Sequence, residues 1–138
     1  MEMITAEIAA GLLPPRRANG HKGDFGRVYV AAGAIGYTGA PVYAAEAACR
    51  TGSGLVFVGV PREVYPIVAA RCATAMAQPL PEEREVLLEQ MSRCDAAVIG
   101  PGLGRSPQAE ALTPFLLEKL PVPIILNADG INAAPAHI

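Results

Sequence analysis

At 138 residues, 51% hydrophobic and 17% charged, the chain is long enough for one packed domain and too apolar to be a disordered segment. A net charge of −2, with no basic cluster beyond Arg16-Arg17, argues against a nucleic-acid partner. Aromatic residues make up only 5% and Trp is absent, so the core must be built mainly from Ala, Val, Leu and Ile.

Thr5 can cap a short helix that runs to about Leu13 and stops at Pro14-Pro15. Residues 16–26 read as a polar, Gly-containing loop. Arg27 to Ala32 is short, apolar and β-branched between turn signals, which predicts a buried strand. A Gly-rich turn from Gly33 to Gly39 follows. Pro41 marks the start of an Ala-rich helix that reaches Thr51 and ends at Gly52-Ser53-Gly54. Leu55 to Val60 is the second strand, and Pro61-Arg62-Glu63 opens a short helix to about Ala70. Thr74 to Leu80 reads as a short strand or extended segment. Pro81 to Arg93 is a charged amphipathic helix, and Asp95 to Ile99 the next strand. After the turn Gly100 to Gly104, Ser106-Pro107 pairs a cap with a first-turn proline, so a helix runs to about Leu120. Val122 to Leu126 is the last strand. Apolar strands alternating with helices predict an α/β fold, a mostly parallel sheet with helices on both faces. Residues 1–138 then form one domain or part of one.

Cys49, Cys72 and Cys94 are odd in number, far apart and without a Cys-x-x-Cys pair, so they are expected to be buried reduced thiols. The N-terminus carries acids where a signal peptide needs a positive start. No apolar run approaches a membrane span. The expectation is a soluble, cytoplasmic chain with no membrane partner.

In an open parallel sheet, ligands bind beyond the carboxyl ends of the strands. Both Gly-rich turns follow strands and precede helices, so both belong to that edge. Helix N-termini there offer unpaired N–H groups and the positive end of a dipole. The spacing Gly33, Gly36, Gly39 is neither the G-x-G-x-x-G fingerprint nor a Walker loop. Each turn alone is as compatible with tight strand-to-helix packing as with a ligand cradle; two at one edge favour binding. Asp129 follows the last strand and could bind Mg2+ or a hydroxyl, or simply cap a helix starting at Gly130 or Ile131. His21-Lys22-Gly23 could place a cation near a phosphate or form a loop hydrogen bond. His137 has no visible partner. Glu82, Glu83, Arg84 and Glu85 read as a solvated helix face. No Ser/His/Asp or Cys/His constellation can be assembled.

The order of motifs resembles the bacterial ADP-dependent NAD(P)H-hydrate dehydratases, of carbohydrate-kinase-like, ribokinase-like fold. The matching segments are His21-Lys22-Gly23-Asp24-Phe25-Gly26, Ala32-Gly33, Gly36-Tyr37-Thr38-Gly39-Ala40 and Arg50-Thr51-Gly52-Ser53-Gly54-Leu55-Val56. They continue with Ile99-Gly100-Pro101-Gly102-Leu103-Gly104 and Ala128-Asp129-Gly130-Ile131-Asn132. The resemblance implies repair of NADHX and NADPHX, the hydrates of NADH and NADPH. The hydroxyl is phosphorylated with ADP, or with ATP in eukaryotic relatives, and loss of phosphate restores the ring double bond. Such transfer needs a phosphate cradle, a divalent cation such as Mg2+ and a base.

The resemblance implies that Ala40 and Gly102 line the hydrate pocket, with Gly39 and Gly104 as neighbours. It also brings departures. Asn127 stands where the family has Asp, and Ala34 where it has Ser. The family's Thr-Pro-His-x-Gly-Glu, Lys-Gly and Gly-Thr-Gly-Asp segments, the last carrying the expected base, do not occur here. The expectation is therefore the N-terminal part of such a domain, with the base beyond Ile138 and little activity alone. A truncated sheet leaves apolar area uncovered, which predicts a homo-oligomer. Two alternatives remain open at this point: a small-molecule kinase of the same fold, for a sugar or vitamin precursor, and a non-catalytic nucleotide-binding or oligomerisation module.

Overall fold

Five strands form one all-parallel sheet in the order β3-β2-β1-β4-β5, within a computed structural model that describes residues 3–135. The strands are β1 (Arg27–Ala31), β2 (Leu55–Val60), β3 (Met76–Pro79), β4 (Ala96–Ile99) and β5 (Ile124–Leu126). The helices are α1 (Ala6–Leu12), α2 (Gly39–Arg50), α3 (Tyr65–Ala69), α4 (Arg84–Ser92), α5 (Pro107–Lys119) and α6 (Asp129–Asn132). The ambiguous stretch before Leu80 is a strand, because β2 is already an apolar parallel template: Phe57 pairs with Met76 and Val60 with Pro79. His137 lies outside the described residues.

The caps follow the chemistry of the sequence. Thr5 Oγ1 accepts the Ile8 N–H at 3.3 Å, and Ser106 Oγ accepts the Ala109 N–H at 3.2 Å. Helix α2 ends as expected at Gly52: the Gly52 N–H donates to Cys49 O and the Ser53 N–H to Ala48 O. Three expectations need correction. The short helix expected to open at Pro61 begins only at Tyr65, after a turn over residues 61–64. Pro41 is the third helical residue of α2, since the turn winds into helix from Gly39. Residues 16–26 are not all loop, because Lys22–Phe25 makes one turn of 3-10 helix.

Alternation along β1 divides the core between two faces. Tyr29 and Ala31 pack with Leu87 and Met91 of α4 and Leu112 and Leu116 of α5. Val30 and Ala32 pack with Val56, Val58 and Val60 of β2, Val42 and Ala45 of α2, and Val68 of α3. Burial of a Val or Leu side chain stabilises by about 1.5–3 kcal/mol, so these two clusters hold both helix layers to the sheet. Cys94 is buried, whereas Cys49 and Cys72 are only half-buried; all three are free thiols. Burial pushes the Cys94 and Cys72 thiols up, which disfavours the reactive thiolate.

One polar cluster interrupts the apolar layer. Gln78 Nε2 donates to the Tyr29 hydroxyl at 2.9 Å and to Gln90 Oε1 at 3.1 Å, linking β1, β3 and α4. The phenol passes over Gly59 of β2, where a Cβ would lie 2.6 Å from its oxygen. Burial pushes the Tyr29 pKa up to about 12 from an ordinary 10.0. The unfolded chain therefore releases this proton first as pH rises. The stability held by the neutral phenol is complete below pH 10 and is lost between pH 10 and about 12. Over that window unfolding free energy should fall by an extra ~2–3 kcal/mol, an increment absent from Tyr29→Phe. Urea titrations of both proteins at stepped alkaline pH would check it.

Candidate functional site

The connections out of β1 and β4 diverge at the carboxyl edge. The chain leaves β1 for α2 on one face and leaves β4 for α5 on the other. Between adjacent strands whose connections part in this way lies a crevice, the topological switch point where open parallel sheets hold ligands. The two Gly-rich turns form its walls. The Gly33 N–H donates to Pro101 O at 3.0 Å, and the Gly100 N–H to Ala31 O at 3.1 Å, so the turns are stitched together by backbone.

Ala40 and Gly102 meet here. A Cβ on Gly102 would lie 3.0 Å from Ala40 Cβ and 2.9 Å from Tyr37 Cβ, and φ at Gly102 is +62°. Any side chain would close the gap between the turns as well as strain the backbone. Gly39 and Ala40 open α2, whose N-cap residue Thr38 makes no side-chain cap bond. Their N–H groups have no acceptor among the described residues and stand at the positive end of a twelve-residue helix. Gly104 packs near Ala34, 3.3 Å from a built Cβ.

Asp129 does not take the capping role. The residue before α6 is Ala128, with no side-chain cap, so Asp129 is the first helical residue and not the cap. Its Oδ2 accepts the Gly104 N–H at 2.9 Å, and its Oδ1 stands 3.5 Å from Asn132 Nδ2. It therefore ties the turn after β4 to the end of β5. Ala128 takes φ +48°, a conformation unusual for a residue with a side chain. Asn127 is exposed at the end of β5, and its backbone oxygen accepts from Gly130.

Mg2+ does not find a cage in these residues. Among the described residues no group of three or more His, Cys, Asp or Glu converges, and Asp129 already accepts the Gly104 amide. The His21-Lys22-Gly23 segment is at the other end of the sheet. It sits before β1 and against Gly54 at the entry to β2, with the His21 N–H donating to Asp24 Oδ2 at 3.0 Å. Of its two readings the loop hydrogen bond is what forms, and the cation is far from the carboxyl edge.

A larger feature of the same edge escapes the sequence reading. A cleft of about 880 Å3 opens over the ends of β1, β2 and β3 and the start of α5. Tyr37, Arg62, Arg84, Leu87, Arg105 and Leu112 are among its walls, and Gly104 joins it to the switch point. Its residues come from four separate loops, so no local motif marks it. The one available signal was that Arg62, Arg84 and Arg105 all follow strand ends.

Comparison with known proteins agrees with this geometry. The profile of the family described as NAD(P)H-hydrate dehydratase matches residues 28–138. Among curated relatives, a bifunctional NAD(P)H-hydrate repair enzyme of Moorella thermoacetica is 40% identical over 95% of this chain and 26% of its own length. An ADP-dependent (S)-NAD(P)H-hydrate dehydratase of Streptococcus pneumoniae is 35% identical over 94% of this chain and 44% of its own. The chain thus spans less than half the length of these relatives. A ribokinase-like superfamily protein of Enterococcus faecalis superposes with TM-score 0.81 at 27% identity, over 94% of this chain and 46% of that one. An ADP/ATP-dependent NAD(P)H-hydrate dehydratase of Bacillus subtilis, crystallised with ATP and Mg2+, gives TM-score 0.72 at 27% identity, over 91% and 45%. The ribokinase-like α/β fold expected from the motifs is the one found, and this chain belongs to the NAD(P)H-hydrate dehydratase family.

Proposed function

We propose that this chain carries the hydrate-binding half of an ADP- or ATP-dependent NAD(P)H-hydrate dehydratase. The observation that supports it best is the meeting of Ala40 and Gly102 at the switch point, on a family match that covers both. The reduced ring of NADHX or NADPHX lies against the bare backbone of the two turns. The free N–H groups of Gly39 and Ala40 donate to a carbonyl or phosphate oxygen of the substrate. Asp129, through the Gly104 amide, holds the second turn at the distance this requires. Phosphorylation by the nucleotide turns a poor hydroxide leaving group into phosphate. We assign the base and the nucleotide site to the part of the relatives' length that this chain does not span. Mg2+ belongs in this reading with the nucleotide phosphates, and no step is derived through it.

In the same reading the protein works in the cytoplasm. No helix among the described residues is long and apolar enough to cross a membrane. It also self-associates. Helix α1 buries nothing and leaves Ile4, Leu12 and Leu13 exposed, and Ile125 on the open edge of β5 is 60% exposed. Sedimentation velocity should show a species heavier than 14.3 kDa; a monodisperse monomer would contradict it.

The test of function is recovery of reduced-nicotinamide absorbance from NADH hydrate with ADP and Mg2+. A chain extended to the length of the relatives should turn over, and the 138 residues alone should bind the hydrate with little turnover. No recovery by either, with phosphorylation of a hydroxymethyl vitamin precursor instead, would make it a kinase.

A further inference from the structure

We propose that the arginine-lined cleft beside the switch point is a subsite for the phosphorylated adenosine end of the dinucleotide, with Arg62 and Arg105 as its phosphate partners. The inference rests on the placement of the reduced nicotinamide at Ala40 and Gly102.

Charge supports it first. The carboxyl edge bears Arg62, Arg84 and Arg105, and all three line this one cleft. Arg84 is drawn over the Phe115 ring, 5.9 Å from its centroid. Neither Arg62 nor Arg105 forms an ion pair among the described residues. Two unpaired guanidiniums facing one cavity suit an anion that each can grip with two parallel hydrogen bonds.

Shape and position agree. A volume of about 880 Å3 lies within the range of small-ligand sites. The exposed ring of Tyr37 and the side chains of Ile35 and Leu112 offer a planar and apolar surface for a purine. Arg105 directly precedes the N-terminus of α5, a thirteen-residue helix whose dipole favours negative charge there. Arg62 and Glu63 follow β2, two strand ends along from β4. Ligands of open parallel sheets sit beyond the carboxyl ends of the strands, and both the cleft and the switch point lie there. Beside β2 the cleft presents Arg62 for a 2′-phosphate and Glu63 for a free 2′-hydroxyl. Glu82 also lines it, so the anion must sit on the arginine side. Tyr37 touches both regions: it lines the cleft, and its Cβ would lie 2.9 Å from a Cβ on Gly102. The two regions therefore adjoin at Tyr37 and Gly104.

The test is calorimetric titration of the 138-residue chain and of Arg62→Gln and Arg105→Gln, each first checked for an unchanged thermal transition. The probes are adenosine 2′,5′-bisphosphate, ADP and reduced nicotinamide mononucleotide. Adenosine 2′,5′-bisphosphate should bind about tenfold more tightly than ADP, and each substitution should weaken it by about tenfold. Binding unchanged in both folded variants would overturn the proposal. So would ADP binding as tightly as the bisphosphate, since the occupant would then be a nucleoside diphosphate. If the mononucleotide binds and the bisphosphate does not, the cleft assignment fails while the hydrate site stands. If only the bisphosphate binds, and needs both arginines, the cleft stands and the nicotinamide placement falls.

Discussion

Replacing Gly100 by Ala should destabilise the chain by roughly 4 kcal/mol or more, a large share of the roughly 5–15 kcal/mol that holds an ordinary domain folded. Gly100 takes φ +120°, which L side chains avoid. Its Cβ would fall 2.0 Å from Asn127 O and 2.4 Å from Gly130 N. Both are backbone atoms, and they also bond to each other at 2.9 Å, so neither can swing aside like a side chain. Relief would require β4 and β5 to part at the edge where the switch point is built. The measurement is the urea midpoint of the variant beside the parent. An unchanged midpoint would show that the end of β5 is free to move, and the rigid crevice described above would go with it.

The second large effect is expected at the opposite edge. A Cβ on Gly54 would lie 1.6 Å from the carbonyl oxygen of Lys22 and 2.7 Å from its carbonyl carbon. Gly54→Ala must therefore dislodge the 3-10 turn from the entry of β2, and it breaks the bonds from the Gly54 N–H to Phe25 O and Gly26 O. We expect a loss of roughly 3 kcal/mol or more by chemical denaturation. Lys22→Ala is the informative companion. Its side chain is exposed, so the change should cost about 0.5 kcal/mol or less and leave hydrate binding as it was. Weakened binding in Lys22→Ala would return the cation to the ligand and contradict its place at the amino edge.

Those two glycines show which parts of the molecule were legible in the sequence. Strand and helix positions were readable because their signals are local. Apolar β-branched runs end at Gly or Pro, and Ser106-Pro107 or Gly52-Ser53 mark helix ends by chemistry within a few residues. The doubly covered sheet followed from the alternation. The motif-bearing turns after β1 and β4 were also placed at the correct edge, since the direction of a parallel strand decides which end its loop occupies.

What was not legible depends on distance through space. Asp129 looked like a cap because its partner, the Gly104 amide, is a long way off in sequence. His21-Lys22 looked like a phosphate contact because a motif does not say which end of the sheet it decorates. The cleft was missed for the same reason, because Arg62 and Arg105 meet only when β2 and β4 flank β1.

That central place of β1 bears on how the molecule assembles. Val28 pairs with Val56 on one side and with Ala96 on the other, and no two neighbouring strands can close as a hairpin. During synthesis the innermost strand emerges first and must wait for both of its neighbours. One flank is satisfied when β2 arrives, but Tyr29 and Ala31 stay uncovered until α4 and β4 have left the ribosome. Folding is thus governed by long-range closure, the slow route for a chain of this size. The central strand of the sheet is exposed longest, and chaperone capture at that stage would act on β1 rather than on the chain's surface helices.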